Sequence, residues 1–123
     1  MTSWEAARKL ALSLPEAEER DHFGSPSFRV KGKIFAQLSS LESGEMRALI
    51  KLTPADQAAL ILSAPETFSS VSQWGHHGWT HVRLAAVDAG WLHSLLLQSW
   101  RLVAPKKWAA QAMPGVNEAS TGG

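Results

Sequence analysis

Three histidines in residues 73–84 are the side chains whose type and spacing most directly suggest chemistry. The segment reads QWGHHGWTHVRL and contains His76, His77 and His81. Imidazole nitrogens bind zinc and other transition metals, and they transfer protons near neutral pH. A metal site or an acid–base site is therefore the first hypothesis for this segment.

The spacing of the histidines argues against that hypothesis. In an extended strand His77 and His81 would lie roughly 13 Å apart, and neighbouring side chains would point to opposite faces. No Asp or Glu occurs between Glu66 and Asp88, so the segment offers no carboxylate to complete a metal site or to orient an imidazole ring. We therefore expect no metal, no cofactor and no catalytic residue here, and we interpret residues 74–78 as a loop.

The composition excludes several other classes of function. The chain has 123 residues and no cysteine, which excludes disulfides, a thiolate nucleophile and a cysteine-based zinc site. Its net charge of +1 gives no general attraction to nucleic acid or to an anionic membrane. The amino terminus has no signal-peptide pattern and no apolar run approaches the roughly 20 residues of a membrane span, so we expect a cytoplasmic protein without a membrane partner.

Hydrophobic periodicity predicts an α+β fold, with two layers and about five antiparallel strands that carry the helices on one face. The element order is α-β(3)-α-β(2)-α, in one domain over residues 1–108, followed by a disordered tail over residues 109–123. The predicted helices are 3–14, beginning at a Thr2–Glu5 capping box, then 54–64 after Thr53, and 89–103 after Asp88. The predicted strands are the two arms of a hairpin in 27–38, then 46–52, 68–71 and 79–84, with 20–23 at most an edge strand.

The hairpin SFRVKGKIFAQL has two possible registers. A three-residue loop at 30–32 pairs Arg29 with Lys33, whereas a two-residue turn at 31–32 pairs Arg29 with Ile34 and mixes apolar with polar side chains. We favour the first register because it separates the faces. It places Phe28, Ile34, Ala36 and Leu38 on the core face, and Arg29, Lys33, Phe35 and Gln37 on the open face.

The open face of the predicted sheet combines cations with aromatic and apolar side chains, with no acid at the same alternating positions. Cations that contact phosphates and rings that stack on bases are typical of nucleic-acid surfaces. Long cationic side chains also cover sheets without binding anything, and an apolar patch also suits a protein partner or a homodimer. The candidate binding residues on this face are Arg29, Lys33, Phe35, Arg47, Lys51, Trp79, His81 and Arg83. Leu49 lies between them on the same face, and His77 is a further candidate at the rim of the face.

Several short motifs follow one another along the chain. They are Leu14-Pro15, His22-Phe23-Gly24, Phe28-Arg29-Val30, Gly32-Lys33-Ile34-Phe35-Ala36, Ile50-Lys51-Leu52 before Thr53-Pro54, Gly78-Trp79-Thr80 and Ser99-Trp100-Arg101-Leu102-Val103. In this order they resemble the motifs of the MmcQ/YjbR family of small bacterial proteins. The resemblance covers about residues 4–107 and implies a frataxin-like and secretion-chaperone-like α+β fold, with DNA binding through a double-wing arrangement and no catalytic residues.

Our hypothesis is a non-catalytic DNA-binding protein that uses its open sheet face and hairpin loops. The alternative is a protein-partner module or homodimer that uses the same face.

Overall fold

Three α-helices and six strands form the part of the chain that the computed structural model describes, residues 1–71 and 77–107. The predicted α+β fold is confirmed, and the edge segment of the prediction is a full strand, which makes six strands instead of about five. In chain order the elements are α1 (Trp4–Leu12), β1 (Glu18–His22), β2 (Ser25–Val30), β3 (Lys33–Ser40), β4 (Met46–Lys51), α2 (Pro54–Ser63), β5 (Phe68–Ser70), β6 (Trp79–Arg83) and α3 (Ala89–Val103), with a short 3-10 helix at Leu84–Ala86.

The strands form one antiparallel sheet in the order β1-β2-β3-β4-β6-β5. Helix α3 packs on β3 and β4, and α1 packs on α3. The core lies between the helices and the sheet, and its largest fully buried side chains include Trp100, Phe28, Phe35, Phe68 and Ile50. The opposite face of the sheet is therefore the place to look for binding residues.

Polar side chains fix where the helices begin. Ser3, and not the predicted Thr2, caps α1 by accepting a hydrogen bond from the Ala6 N–H at 3.1 Å. The Thr2 hydroxyl instead donates to the Val87 carbonyl at 2.7 Å and so ties the amino terminus to the segment before α3. Thr53 and Asp88 cap α2 and α3 as predicted.

The inward stripe of α3 runs from Leu92 to Trp100. Leu92, Leu95, Leu96 and Ser99 are buried, whereas Leu102 is exposed. Trp100 is buried as well, and its indole N–H donates to the Pro15 carbonyl at 2.9 Å. A helix has 3.6 residues per turn, so the buried stripe moves from Ser99 to Trp100 and leaves Leu102 on the outer side.

The predicted three-residue hairpin loop is wrong, because β2 and β3 are joined by a two-residue turn. Val30 pairs with Lys33, and Arg29 pairs with Ile34. The turn residues Lys31 and Gly32 have φ of 53° and 79°. Positive φ at both central positions is the geometry that matches the twist of a hairpin, and this local preference outweighs clean separation of the faces.

A β-bulge at Phe35 then restores the core that this register would otherwise disrupt. Phe28 pairs with Ala36 while Arg29 pairs with Ile34, so Phe35 is the extra residue on β3. Both Phe35 and Ala36 are buried, at 0% and 1% exposure. Phe35 is therefore a core residue and Ile34 is half-buried on the open face, the reverse of the predicted placement.

Gly78 fixes the entry into β6. Its carbonyl accepts a hydrogen bond from the Leu52 N–H at 2.9 Å, and its φ is +87°. A Cβ at this position would lie 1.8 Å from the Leu52 carbonyl oxygen. Only glycine allows this close approach, which sets the position of Trp79 relative to β4.

Within the described ranges, no helix is long and apolar enough to cross a membrane. The predicted tail, residues 109–123, lies outside the described residues, as does the 74–76 part of the predicted loop.

Candidate nucleic-acid interface

Strands β4 and β6 place six of the residues predicted for the open face side by side. Residues that pair directly across two strands carry their side chains on the same face of the sheet. The face therefore alternates charged and less polar pairs along its length. The pairs are Arg47 with Arg83, Leu49 with His81, and Lys51 with Trp79.

Arg29 lies on the same face, but Lys33 and Phe35 do not. Arg29 is opposite Ile34, and its Nε donates to the Ser27 hydroxyl at 3.3 Å. Lys33 pairs with the core residue Val30, so its side chain lies on the helix side of the hairpin, where it borders a surface depression with the end of α3. The two-residue turn and the bulge are the reasons why both residues leave the predicted open face.

Carboxylates neutralise two cations at the edges of this face, which the alternation of residues did not predict. Glu45, in the turn before β4, forms an ion pair with Arg83 at 3.0 Å. At the opposite edge Glu18 pairs with Arg20 at 3.2 Å. Over residues 1–71 and 77–107, the open-face cations without an ion pair are Arg29, Arg47 and Lys51.

Lys51 and Trp79 form the contact at one end of the face. The Lys51 ammonium lies 6.0 Å from the centroid of the Trp79 ring, at the outer limit of a cation–π interaction. Trp79 is half-buried, so part of its ring is accessible from the open side. This arrangement places a positive charge beside a partly accessible aromatic ring.

His81 is half-buried beside Leu49, and its Nδ1 has no hydrogen-bond partner within the described part of the chain. Burial, and then the charge of Arg47, lower the pKa of His81 below its ordinary value of 6.5. The ring is therefore neutral at pH 7 and adds no positive charge to the face. The Nε of Arg47 is also buried without a partner among the described residues.

A hollow of about 360 Å³ lies on the open face. Its lining is apolar at Ile34, Leu49 and Trp79 and polar at Gln37 and the two histidines, with no carboxylate in it. The six lining residues are His22, Ile34, Gln37, Leu49, His77 and Trp79. His77 is thus one of the residues that line the hollow.

The histidines of the 73–84 segment have different positions. His77 lines the hollow, whereas His81 lies in β6, and His76 lies outside the described residues. The described residues contain no group of three or more His, Cys, Asp or Glu that could hold a metal ion. The side chains that line the hollow offer hydrogen bonds and stacking.

Phe23 is an exposed aromatic residue next to the hollow, and it is not among the residues predicted for the site. It occupies the two-residue turn between β1 and β2 with φ of 53°, and its side chain is 95% exposed. Its ring packs edge-on against His22, with centroids 4.7 Å apart, and His22 lines the hollow. The available signal was an aromatic residue before Gly24, at a turn position that Asn, Asp and Gly normally occupy.

Comparison with protein families identifies the fold and its relatives. The YjbR family model matches residues 12–102, most of the chain. The chain belongs to the MmcQ/YjbR family. The YjbR domain thus includes every residue of the open face and the hollow, and its boundaries agree with the resemblance noted in the sequence.

A solved structure supports the same fold. The crystal structure of the Deinococcus radiodurans protein DR2400, which contains a DUF419 domain, is similar to this YjbR chain with a TM-score of 0.72 and 20% sequence identity. The match covers 99% of this chain and 89% of DR2400. No functionally curated protein matches the chain. At this identity the likeness concerns the fold, so function must be argued from the site.

Proposed function

We propose that this protein binds nucleic acid through the open face of its sheet, without catalysing a reaction. The observation that carries the proposal is a set of three open-face cations, Arg29, Arg47 and Lys51, that have no ion pair in the described part of the chain. Arg47 and Lys51 flank Leu49 on β4, and Arg29 lies on β2 of the same face. Phosphates are the partners that such cations lack, and the rings and apolar groups between them suit bases and sugars.

The distribution of charge matters more here than its total. The net charge is only +1, and the acids at the sheet edges pair with Arg20 and Arg83. The central cations are left available, so a polyanion gains most by lying across β4 and its neighbours. Family membership supports this proposal, since DNA binding is what the MmcQ/YjbR resemblance implies.

A protein partner or a second copy of the chain is the other candidate for this face. Ile34, Leu49 and Trp79 give it an apolar centre. Among the exposed large apolar side chains, Phe23 packs against His22 beside this face, whereas Leu62 and Leu102 lie on the helices. An interface between proteins normally has an apolar core with few charges, so the three cations favour nucleic acid. Light scattering tests for a homodimer. If this face forms the dimer interface, Leu49→Arg should dissociate the dimer into monomers.

Fluorescence anisotropy tests the proposal with labelled oligonucleotides at low salt. Lys51→Glu reverses one of the three central charges, and we expect it to weaken binding at least several-fold. Lys9→Glu is the matched control, because Lys9 is an exposed residue of α1, on the helix layer. We expect this control to keep nearly the wild-type affinity. Circular dichroism melting checks that both variants remain folded.

Two results would overturn the proposal. One is the absence of saturable binding to any single-stranded or duplex oligonucleotide at low salt. The other is equal weakening by Lys51→Glu and Lys9→Glu, which would mean that only the total charge matters and that the sheet face is not the binding surface.

A further inference from the structure

The hollow on the open face has the size and chemistry of a site for one flat ring. Its volume of about 360 Å³ is at the low end of small-molecule sites. Ile34 and Leu49 supply apolar contact, Trp79 supplies an aromatic ring, and the Gln37 amide can both donate and accept hydrogen bonds. A nucleobase has this combination of a flat apolar surface and a polar edge.

The cations border the hollow instead of lining it. Arg47 and Lys51 are two residues before and two residues after Leu49 on the same strand, so they lie on the same face on either side of it. A base over Leu49 would thus have its flanking phosphates near cations. The lining contains no carboxylate that would repel them.

Phe23 extends the aromatic surface beyond the hollow. Its backbone has a φ that is unfavourable for a bulky side chain, and its ring is almost fully exposed at 95%. Neither feature stabilises the fold, since the ring buries almost none of its surface and packs in a T-shaped arrangement with His22. A stacking partner in the bound state gives this exposed ring a role.

We propose that the ligand is single-stranded nucleic acid, with one unstacked base in the hollow and a neighbouring base stacked on Phe23. This inference rests on the proposed function and specifies its ligand. Bases in a duplex are paired and stacked inside the helix, so they reach neither the hollow nor Phe23, whereas a single strand can present them to aromatic side chains.

Three ligands of equal length separate base recognition from phosphate binding. They are an oligothymidylate of twelve nucleotides, the same strand with abasic sugars throughout, and a duplex of equal length. We expect the oligothymidylate to bind about fivefold or more tightly than the abasic strand, the smallest effect that stacking of one base gives, and more tightly than the duplex. Equal affinity for the base-containing and abasic strands, or tighter binding of the duplex, would overturn the inference.

Two variants that each add one cation to the open face test the hollow itself. Leu49→Lys places a long, charged side chain in the hollow. Ser69→Lys adds the same charge outside the hollow, on the edge strand β5. If phosphates alone were bound, both variants would tighten binding. We expect Ser69→Lys to tighten binding of the oligothymidylate slightly and Leu49→Lys to weaken it. Tighter binding by both variants would contradict the base site.

Phe23→Asn separates the proposed role from a structural one. Asn is favoured over Phe at this positive-φ turn position before Gly24, so we expect a higher melting temperature. We also expect binding of the oligothymidylate to weaken about fivefold or more and binding of the abasic strand to stay unchanged. Unchanged oligothymidylate affinity would remove Phe23 from the site. Failure of every oligonucleotide to bind would instead refute the proposed function, so the two failures are distinguishable.

Discussion

The hydroxyl of Ser99 on α3 donates a hydrogen bond to the carbonyl of Phe35, the bulged residue of β3. The same hydroxyl accepts a hydrogen bond from the Lys51 N–H at 2.8 Å. One buried side chain thus satisfies a carbonyl at the bulge and an N–H at the end of β4. Because the bulge places Ile34 on the open face and Lys51 carries one of the open-face cations, contacts with the helix layer help to determine which side chains the open face presents.

Replacing Ser99 tests this connection. Ser99→Ala leaves the buried Phe35 carbonyl and the Lys51 N–H without their partner, and we expect a loss of about 2–4 kcal/mol in the free energy of unfolding. Urea denaturation measures it. Ser63→Ala is the control, since Ser63 is exposed and donates only to Leu60 within its own helix; we expect a change within about 0.5 kcal/mol. Equal small effects of both substitutions would contradict the proposed role of Ser99.

The close approach of Gly78 to Leu52 gives a second stability test. Gly78→Ala adds a Cβ only 1.8 Å from the Leu52 carbonyl oxygen at a φ of +87°, and we expect it to cost about 3 kcal/mol or more. Gly44 has a similar φ of +92° but open space around it. Gly44→Ala should therefore cost only about 1 kcal/mol. Thermal melts of both variants measure the difference, and equal losses would show that backbone strain alone matters at Gly78.

Removing the carboxylate that pairs with Arg83 should strengthen nucleic-acid binding. Glu45→Gln breaks the 3.0 Å ion pair and frees a fourth cation of the open face. We expect a several-fold gain in affinity for single strands at low salt, and a salt slope that is steeper by about 0.7. Glu5→Gln makes the same charge change on α1 and serves as the control. Equal gains from both substitutions would mean that the effect comes from total charge.

The pKa of His81 predicts a pH dependence of stability. Burial and the charge of Arg47 lower this pKa in the folded state, so the unfolded chain binds a proton more readily. The contribution of His81 is fully present above its ordinary value of 6.5, and it is lost as pH falls through the lowered folded pKa. We expect His81→Gln to lose less stability than the wild type between pH 7.5 and pH 5, as measured by urea denaturation at each pH. Parallel pH profiles would contradict this assignment.

The sequence predicted those parts of the fold that local patterns determine. Helices α2 and α3 begin at the residues that their caps indicated, and the alternation in β4 and β6 placed Arg47, Lys51 and Trp79 on one face. These features depend on the period of each element and on short capping motifs, both of which are visible within a dozen residues.

The features that the sequence did not predict depend on partners far along the chain. The carbonyl of the bulged residue Phe35 accepts a hydrogen bond from Ser99, which is 64 residues away in the chain. The pairing of Arg83 with Glu45 depends on how the turn before β4 lies beside β6, which alternation along one strand does not describe. In the hairpin, separation of the faces and turn geometry favoured different registers, and turn geometry prevailed because a bulge could correct the faces.

Salt dependence tests most directly whether the three central cations bind phosphates. We predict that the logarithm of the association constant for a single strand falls with the logarithm of the salt concentration with a slope near −2, since each neutralised phosphate contributes about −0.7. Combined replacement of Arg29, Arg47 and Lys51 by alanine should make the slope nearly flat. Binding that does not depend on salt, or a slope that survives this triple replacement, would contradict the proposed function.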